Sequence, residues 1–179
     1  TERTGEEVRE ALSALVAANS QAYLIDLRDN GGGSLSSAID VASAFLSDGV
    51  VAIEKRRGQP EIVHRVHSER SKAADGRPIV VLVNGNTASA AEIVAGAIQD
   101  RGRGLLVGEK TFGKGSVQLI FDLTDGSAVR VTTAKWLTPE RRELDGAGLT
   151  PDVEVAGSAD AQLKQAVSLL GEALGQQTR

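Results

Sequence analysis

Cysteine is absent from the 179 residues, so disulfides, a thiolate nucleophile and cysteine-ligated zinc are all excluded. The compartment stays open, because a cysteine-free chain survives either redox poise. Histidine occurs only as His64 and His67. Both lie in EIVHRVHSER, an alternating segment that reads as an edge strand running into a loop with surface histidines. Their i, i+3 spacing is poor for two ligands on one strand face, so no metal site is expected. Any catalytic base must then come from Asp, Glu, Lys or Tyr. Aromatic residues are 3% of the chain, with Trp136 and Tyr23 single of their kinds, which leaves no stacking platform for bases or sugars. Positive charge is also in deficit. Lys and Arg total 20 against 24 Asp and Glu, a net charge of -4, which argues against nucleic acid or a basic membrane surface as partner. No apolar run approaches the roughly 18 to 20 residues that cross a bilayer, and no basic-then-apolar export segment is expected at the start of the chain.

What is present is ordinary globular composition, 41% hydrophobic and 25% charged, at a length suited to one α/β domain with a terminal appendage. The segment TGEEVREALSALVAAN predicts an amphipathic helix over about 4 to 18, opened by a Thr4 to Glu7 capping box. AYLIDL, 22 to 27, reads as a buried strand ending in the turn RDNGGG, after which LSSAIDVASAFL restarts a helical period. GVVAIEKR and EIVHRV predict a hairpin around RGQP. IVVLVN, 79 to 84, is a continuous apolar strand of the parallel-sheet kind, leading through GNTAS into a helix over about 88 to 101. LLVGE repeats the strand signal. SVQLIFDL and SAVRVTTAKWL predict a second hairpin with Asp125-Gly126 at its tip, GLTPDVEV is short and extended, and SADAQLKQAVSLLGEAL is a closing helix. No internal repeat is present.

Three glycine-rich strand exits, at 28 to 33, 85 to 89 and 108 to 115, converge at the carboxyl edge of the sheet if the order is doubly wound. Neither DNGGGSLS nor EKTFGKGS satisfies a dinucleotide or phosphate-loop pattern, so no cofactor is expected. Ser89 falls at a strand-to-helix junction, where unpaired helical N–H groups could hold a negative oxygen beside a nucleophilic hydroxyl. From spacing alone it reads first as a helix cap, with Glu92 three residues on completing a second capping box. With histidine unavailable, a neutral lysine in a water-poor site could activate the serine, given burial that lowers its pKa by several units from about 10.4. Lys114, in TFGKGSV, is the candidate base, although a lysine in a loop reads first as a surface residue.

The ordered segments LIDLRDNGGG, VLVNGNTASAAEIVAGAIQD, LVGEKTFGKGSVQ, WLTP and GLTPDVEV resemble the carboxyl-terminal processing peptidases, the tail-specific serine proteases with a Ser-Lys pair. The likeness runs from about residue 5 to 155. It implies an α/β fold, a ClpP/crotonase-like βα spiral core with β-hairpins. It implies Ser89 as nucleophile, Lys114 as general base and Gln118 as the glutamine that orients the lysine. Gly33 and Ala90 correspond to the backbone donors of the oxyanion hole, and Glu92 and Asp100 to supporting acidic positions. The resemblance further implies a protease core over 1–157, a helix and tail over 158–179, and a PDZ domain that this sequence lacks.

The chain departs from the family pattern at two places. Gly31 stands where the family commonly has proline, which removes a restraint from the turn, and Ala91 stands where the family has a second serine. The implied activity is an endopeptidase acting through an acyl-enzyme on proteins with unstructured C-terminal tails, exported to a bacterial envelope or periplasm or to a thylakoid lumen. Two other readings remain at this stage: an acyl-CoA enzyme of the crotonase kind, and a non-catalytic peptide-binding module.

Overall fold

The computed structural model describes residues 3–67 and 76–177. Helix α1 spans Thr4–Ala17, strand β1 Tyr23–Asp26 and helix α2 Leu35–Phe45. Strands β2 (Val50–Arg56) and β3 (Ile62–Arg65) form the first hairpin. Strand β4 (Ile79–Val83), helix α3 (Ala90–Asp100) and strand β5 (Leu105–Gly108) follow. Strands β6 (Ser116–Asp122) and β7 (Ala128–Leu137) form the second hairpin, before β8 (Val153–Glu154) and helix α4 (Ala159–Gln177).

The strands form two sheets. The first is parallel, in the order β1-β4-β5-β8, and the second antiparallel, in the order β3-β2-β7-β6. The parallel strands advance in one direction across their sheet, as a βα spiral does. A doubly wound order would reverse direction and create a switch point, and among the described residues the order β1-β4-β5-β8 has none. The site therefore forms where neighbouring strand exits meet along one edge.

All five residues of β4 are buried because both faces of this central strand are covered. Ile79, Val81 and Val83 face a large cluster that takes in Val41, Phe45, Ile93, Ile98, Val51 and Trp136, so α2 and α3 pack between the two sheets. Val80 and Leu82 face the opposite side, where Val107 of β5 and Ala166 of α4 complete a smaller cluster. This alternation is the period-2 geometry of a strand. The hairpin histidines take separate partners. His64 is half-buried rather than at the surface, its ring edge-on to Trp136 at 5.6 Å and its Nε2 3.6 Å from a Glu54 carboxylate oxygen. His67 is exposed, and its Nδ1 lies 3.1 Å from Asp40.

Candidate active site

Strand β4 ends at Val83, and the six residues 84–89 must turn the chain into α3. Thr87, fully buried, organises that turn: its N–H donates to the Asn84 carbonyl at 2.9 Å and its hydroxyl accepts from the Asn84 N–H at 3.0 Å. The chain then reaches Ser89 at φ 59°, ψ -122°, a region that L-residues rarely occupy and that costs on the order of 1–3 kcal/mol. Such a strained strand-to-helix turn lifts a side chain out of the backbone path, as nucleophile elbows do. Ser89 is half-buried, and its N–H donates to Glu92 Oε2 at 2.8 Å, the reciprocal half of a capping box.

The first glycine-rich exit docks directly on this turn. The Thr87 hydroxyl donates to the Leu27 carbonyl at 2.7 Å, and the Ala88 N–H donates to the Asn30 carbonyl at 2.9 Å. Gly32, at φ +97°, is pressed against the serine: a Cβ there would lie 2.7 Å from the Ala88 carbonyl oxygen and 2.8 Å from both the Ala90 nitrogen and Ser89 Cβ. Glycine is required at position 32 on both counts. Gly33 follows, exposed and open around its Cα. Among the described residues, neither the Gly33 nor the Ala90 N–H donates to any group. Two unengaged amides thus lie close to Ser89 in the chain or across the turn: Ala90 is its neighbour in sequence, and Gly33 follows the glycine packed against it.

The third exit is tied to the second through one carboxylate. Glu92 is fully buried and gathers four donors. Its Oε1 accepts from the Thr111 hydroxyl at 2.5 Å and the Gly113 N–H at 2.8 Å, and its Oε2 accepts from the N–H groups of Ser89 and Lys114, both at 2.8 Å. The backbone nitrogens of the two predicted catalytic residues therefore share a single oxygen atom. The Phe112 N–H adds a bond to the Thr87 carbonyl at 3.0 Å. From behind, residues 144–149 clamp the same loop: Gly146 donates to the Gly113 carbonyl, and Thr111 and Leu149 exchange bonds.

The lysine side chain does not follow its backbone inward. Gly113 and Gly115 are buried but Lys114 is exposed, contrary to the expectation of a dry amine, because the loop's backbone faces Glu92 and the 144–149 turn and leaves the side chain outward. Among the described residues no hydrogen bond joins Lys114 to Ser89 or to Gln118. Gln118 is exposed on β6, just past an irregularity in its pairing with β7. Asp100 stands at the far end of α3 from Ser89, where it pairs with Arg142 and accepts from the Glu140 N–H at 2.8 Å. It holds the turn after β7 and does not reach the site.

Several site residues carried no sequence signal. Thr87 and Thr111 are lone hydroxyl residues in loops. Asp29, with Asn84 and Asn86, forms a polar clasp whose members are 55 and 57 residues apart in the chain. Asp29 has a carboxyl held below the usual carboxylate range by the amide donors of Asn86 and Asn84. Asp26, at the end of β1, is likewise lowered, chiefly by its hydrogen bonds from the Arg28 guanidinium at 2.6 and 2.9 Å, and Arg28 is raised in return. Arg28 also donates to the Ala159 carbonyl at 2.8 Å, joining this exit to the first turn of α4.

A cleft of about 430 Å³ is lined by Gly33, Ala90, Ile25, Val41, Phe45 and Val94. It suits an apolar side chain adjacent to the serine. Among the described residues, no group of three His, Asp or Glu is placed to hold a metal ion.

The arrangement has counterparts in known proteins. The model of peptidase family S41 matches residues 1–155. A carboxyl-terminal-processing protease of Synechocystis is 42% identical over 175 residues, covering 92% of this chain and 40% of that protein. The chloroplastic carboxyl-terminal-processing peptidase 2 of Arabidopsis thaliana is 44% identical over 146 residues, 81% of this chain and 28% of that protein. The chain thus spans well under half the length of these relatives. Among solved structures, a photosystem II D1 C-terminal processing protease superposes with a TM-score of 0.79 at 31% identity, over 93% of this chain and 44% of that one. The tricorn protease, at 20% identity and a TM-score of 0.55, shares the fold over 86% of this chain and 15% of its own.

Proposed function

Because this chain belongs to peptidase family S41, we propose that it forms the catalytic core of a serine endopeptidase that cleaves proteins near their C-terminal tails. Ser89 is the nucleophile and Lys114 the general base. The observation that carries this reading is the shared Glu92 oxygen, which fixes the serine turn and the lysine loop to one point. An unstructured tail lies extended beside the site. The open edge of β6, the outer strand of its sheet, begins two residues past Lys114 and offers the hydrogen-bonding row that such a strand needs. Polypeptide laid over the loop excludes water from the exposed lysine, and water exclusion disfavours a charged amine.

The chemistry then proceeds in two halves. The uncharged Lys114 amine takes the Ser89 proton as Oγ attacks the scissile carbonyl, and the Gly33 and Ala90 amides receive the developing oxyanion. The ammonium returns a proton to the leaving amine, and water, deprotonated by the same amine, hydrolyses the acyl-enzyme. Gln118 orients the lysine once substrate has drawn both inward. Processing peptidases of cyanobacterial and chloroplastic origin are among the relatives, which supports a place outside the cytoplasm, in a bacterial envelope or a thylakoid lumen. Turnover of a loosely folded reporter tests the reading. Ser89→Ala and Lys114→Ala each abolish cleavage, whereas Lys110→Ala leaves it intact; unchanged cleavage in either of the first two variants overturns the assignment.

A further inference from the structure

Residues 31–33 are three glycines in a row, the most flexible sequence a backbone can have. If Gly33 supplies one oxyanion donor, something outside that run must hold it in register with Ala90. Adjacent to the run lies a closed set of hydrogen bonds between the first and second exits. The Asp29 N–H donates to Asn84 Oδ1 at 3.0 Å, while Asn84 Nδ2 donates back to Asp29 Oδ1 at 3.0 Å. Asn86 Nδ2 donates to the same Asp29 oxygen at 2.8 Å, and the Asn86 N–H donates to Asn84 Oδ1 at 3.1 Å. Asp29 sits at φ +58°, a conformation that Asp and Asn tolerate better than other side-chain residues. The next residue, Asn30, delivers the carbonyl that the Ala88 N–H binds, and its Oδ1 accepts from the Gly32 N–H at 3.0 Å. Tension at Asp29 is therefore passed within four residues to Gly33, and within three to the Gly32 backbone resting on Ser89.

We propose that Asp29 is a positioning residue: with Asn84 and Asn86 it clasps the turn carrying Gly33 onto the turn carrying Ser89 and so sets the spacing of the two oxyanion donors. It touches neither substrate nor reacting atoms. Its working part is the acceptor oxygen Oδ1 and not its charge, since both side-chain donors converge on that one atom. The inference rests on the peptidase reading above, because only a developing oxyanion is sensitive to sub-ångström spacing between Gly33 and Ala90. An interaction of this kind acts in the transition state and leaves ground-state binding of the substrate alone.

The test is steady-state cleavage of a peptide reporter by the whole protein, with parallel binding of a peptide boronate that mimics the tetrahedral oxyanion. Asp29→Gly accepts the positive φ but deletes the oxygen. It is expected to lower kcat by about ten- to a hundredfold and boronate affinity by a similar factor, with KM within about twofold. Asp29→Asn, which keeps Oδ1, is expected to restore both to within about threefold of the parent. Should Asp29→Gly fail to fold, Asn86→Ala removes one of the two side-chain donors and gives a smaller loss in kcat alone. A parent-like kcat in Asp29→Gly, or in Asn86→Ala where that variant stands in for it, overturns the clasp, as does an Asp29→Asn variant as impaired as Asp29→Gly. Ser89→Ala separates the two layers. Its inactivity alongside a fully active Asp29→Gly condemns the clasp alone, and residual turnover in Ser89→Ala condemns the peptidase reading beneath it.

Discussion

A carboxylate with no access to water is stable only if donors replace its hydration, and Glu92 has four of them, one from its own turn and three from the 111–114 loop. Glu92→Gln keeps the shape but turns one acceptor into a donor facing other donors. At least one buried N–H then loses its partner, at a cost of about 2–4 kcal/mol, read as a lowered urea midpoint with unchanged slope. Turnover should fall by about 10² or more, because the serine and lysine backbones no longer share an anchor. Gly32→Ala acts without changing polarity. Its Cβ would meet three atoms at 2.8 Å or less at a positive φ, so the turn must shift away from Ser89. The expected result is a loss of about 10² in kcat. A parent-like kcat in Gly32→Ala would show that the turn has slack and carries no donor.

At the scale of elements, the exit of β1 is held by Asp26 and Asp29, whose carboxyls both titrate below their ordinary values in the fold. What the Asp26 ion pair with Arg28 adds is thus fully present above the unfolded value of about 3.9 and is lost as pH falls through the lowered folded value of Asp26, whereas Asp29 keeps an acceptor oxygen when protonated. Hydrogen exchange of the 30–33 amides, corrected for intrinsic rate, should stay constant from about pH 7 to 5 and quicken only below about pH 4. Quickening already between pH 7 and 5 would mean that other groups secure the turn. These elements were largely legible beforehand. Alternating runs such as EIVHRV and continuous ones such as IVVLV announce their strands, and the Ser89 to Glu92 spacing announces half of a cap. One thing was not legible. The other partners of Glu92, at Thr111, Gly113 and Lys114, are about twenty residues distant, and no local pattern encodes a contact made by tertiary closure. The exposure of the lysine ran against the expectation of a dry amine and matches the surface-loop reading, because the apolar neighbours of Lys114 in sequence do not enclose it: Phe112 is itself 65% exposed. Asp100 misled for the opposite reason. It shares a helix with Ser89, but ten residues of helix carry it roughly 15 Å along the axis, to the other end.

Across the whole molecule, α4 covers one face of the parallel sheet and α2 with α3 cover the other, so the edge where three exits meet is braced from both sides. Leu82, fully buried against the α4 side, belongs to this brace and not to the chemistry. Leu82→Ala should cost about 2–5 kcal/mol in unfolding free energy while the folded fraction keeps its kcat. A large fall in kcat without loss of stability would mean that α4 acts on the site itself. The claim on which everything turns is that Ser89 is activated by a lysine brought in on a separate loop. Its most direct test is mass spectrometry of the whole protein after exposure to a peptidyl fluorophosphonate. A single adduct mapping to Ser89, formed far more slowly in Lys114→Ala, is the predicted result; an adduct on another residue, or undiminished labelling without the lysine, would contradict it.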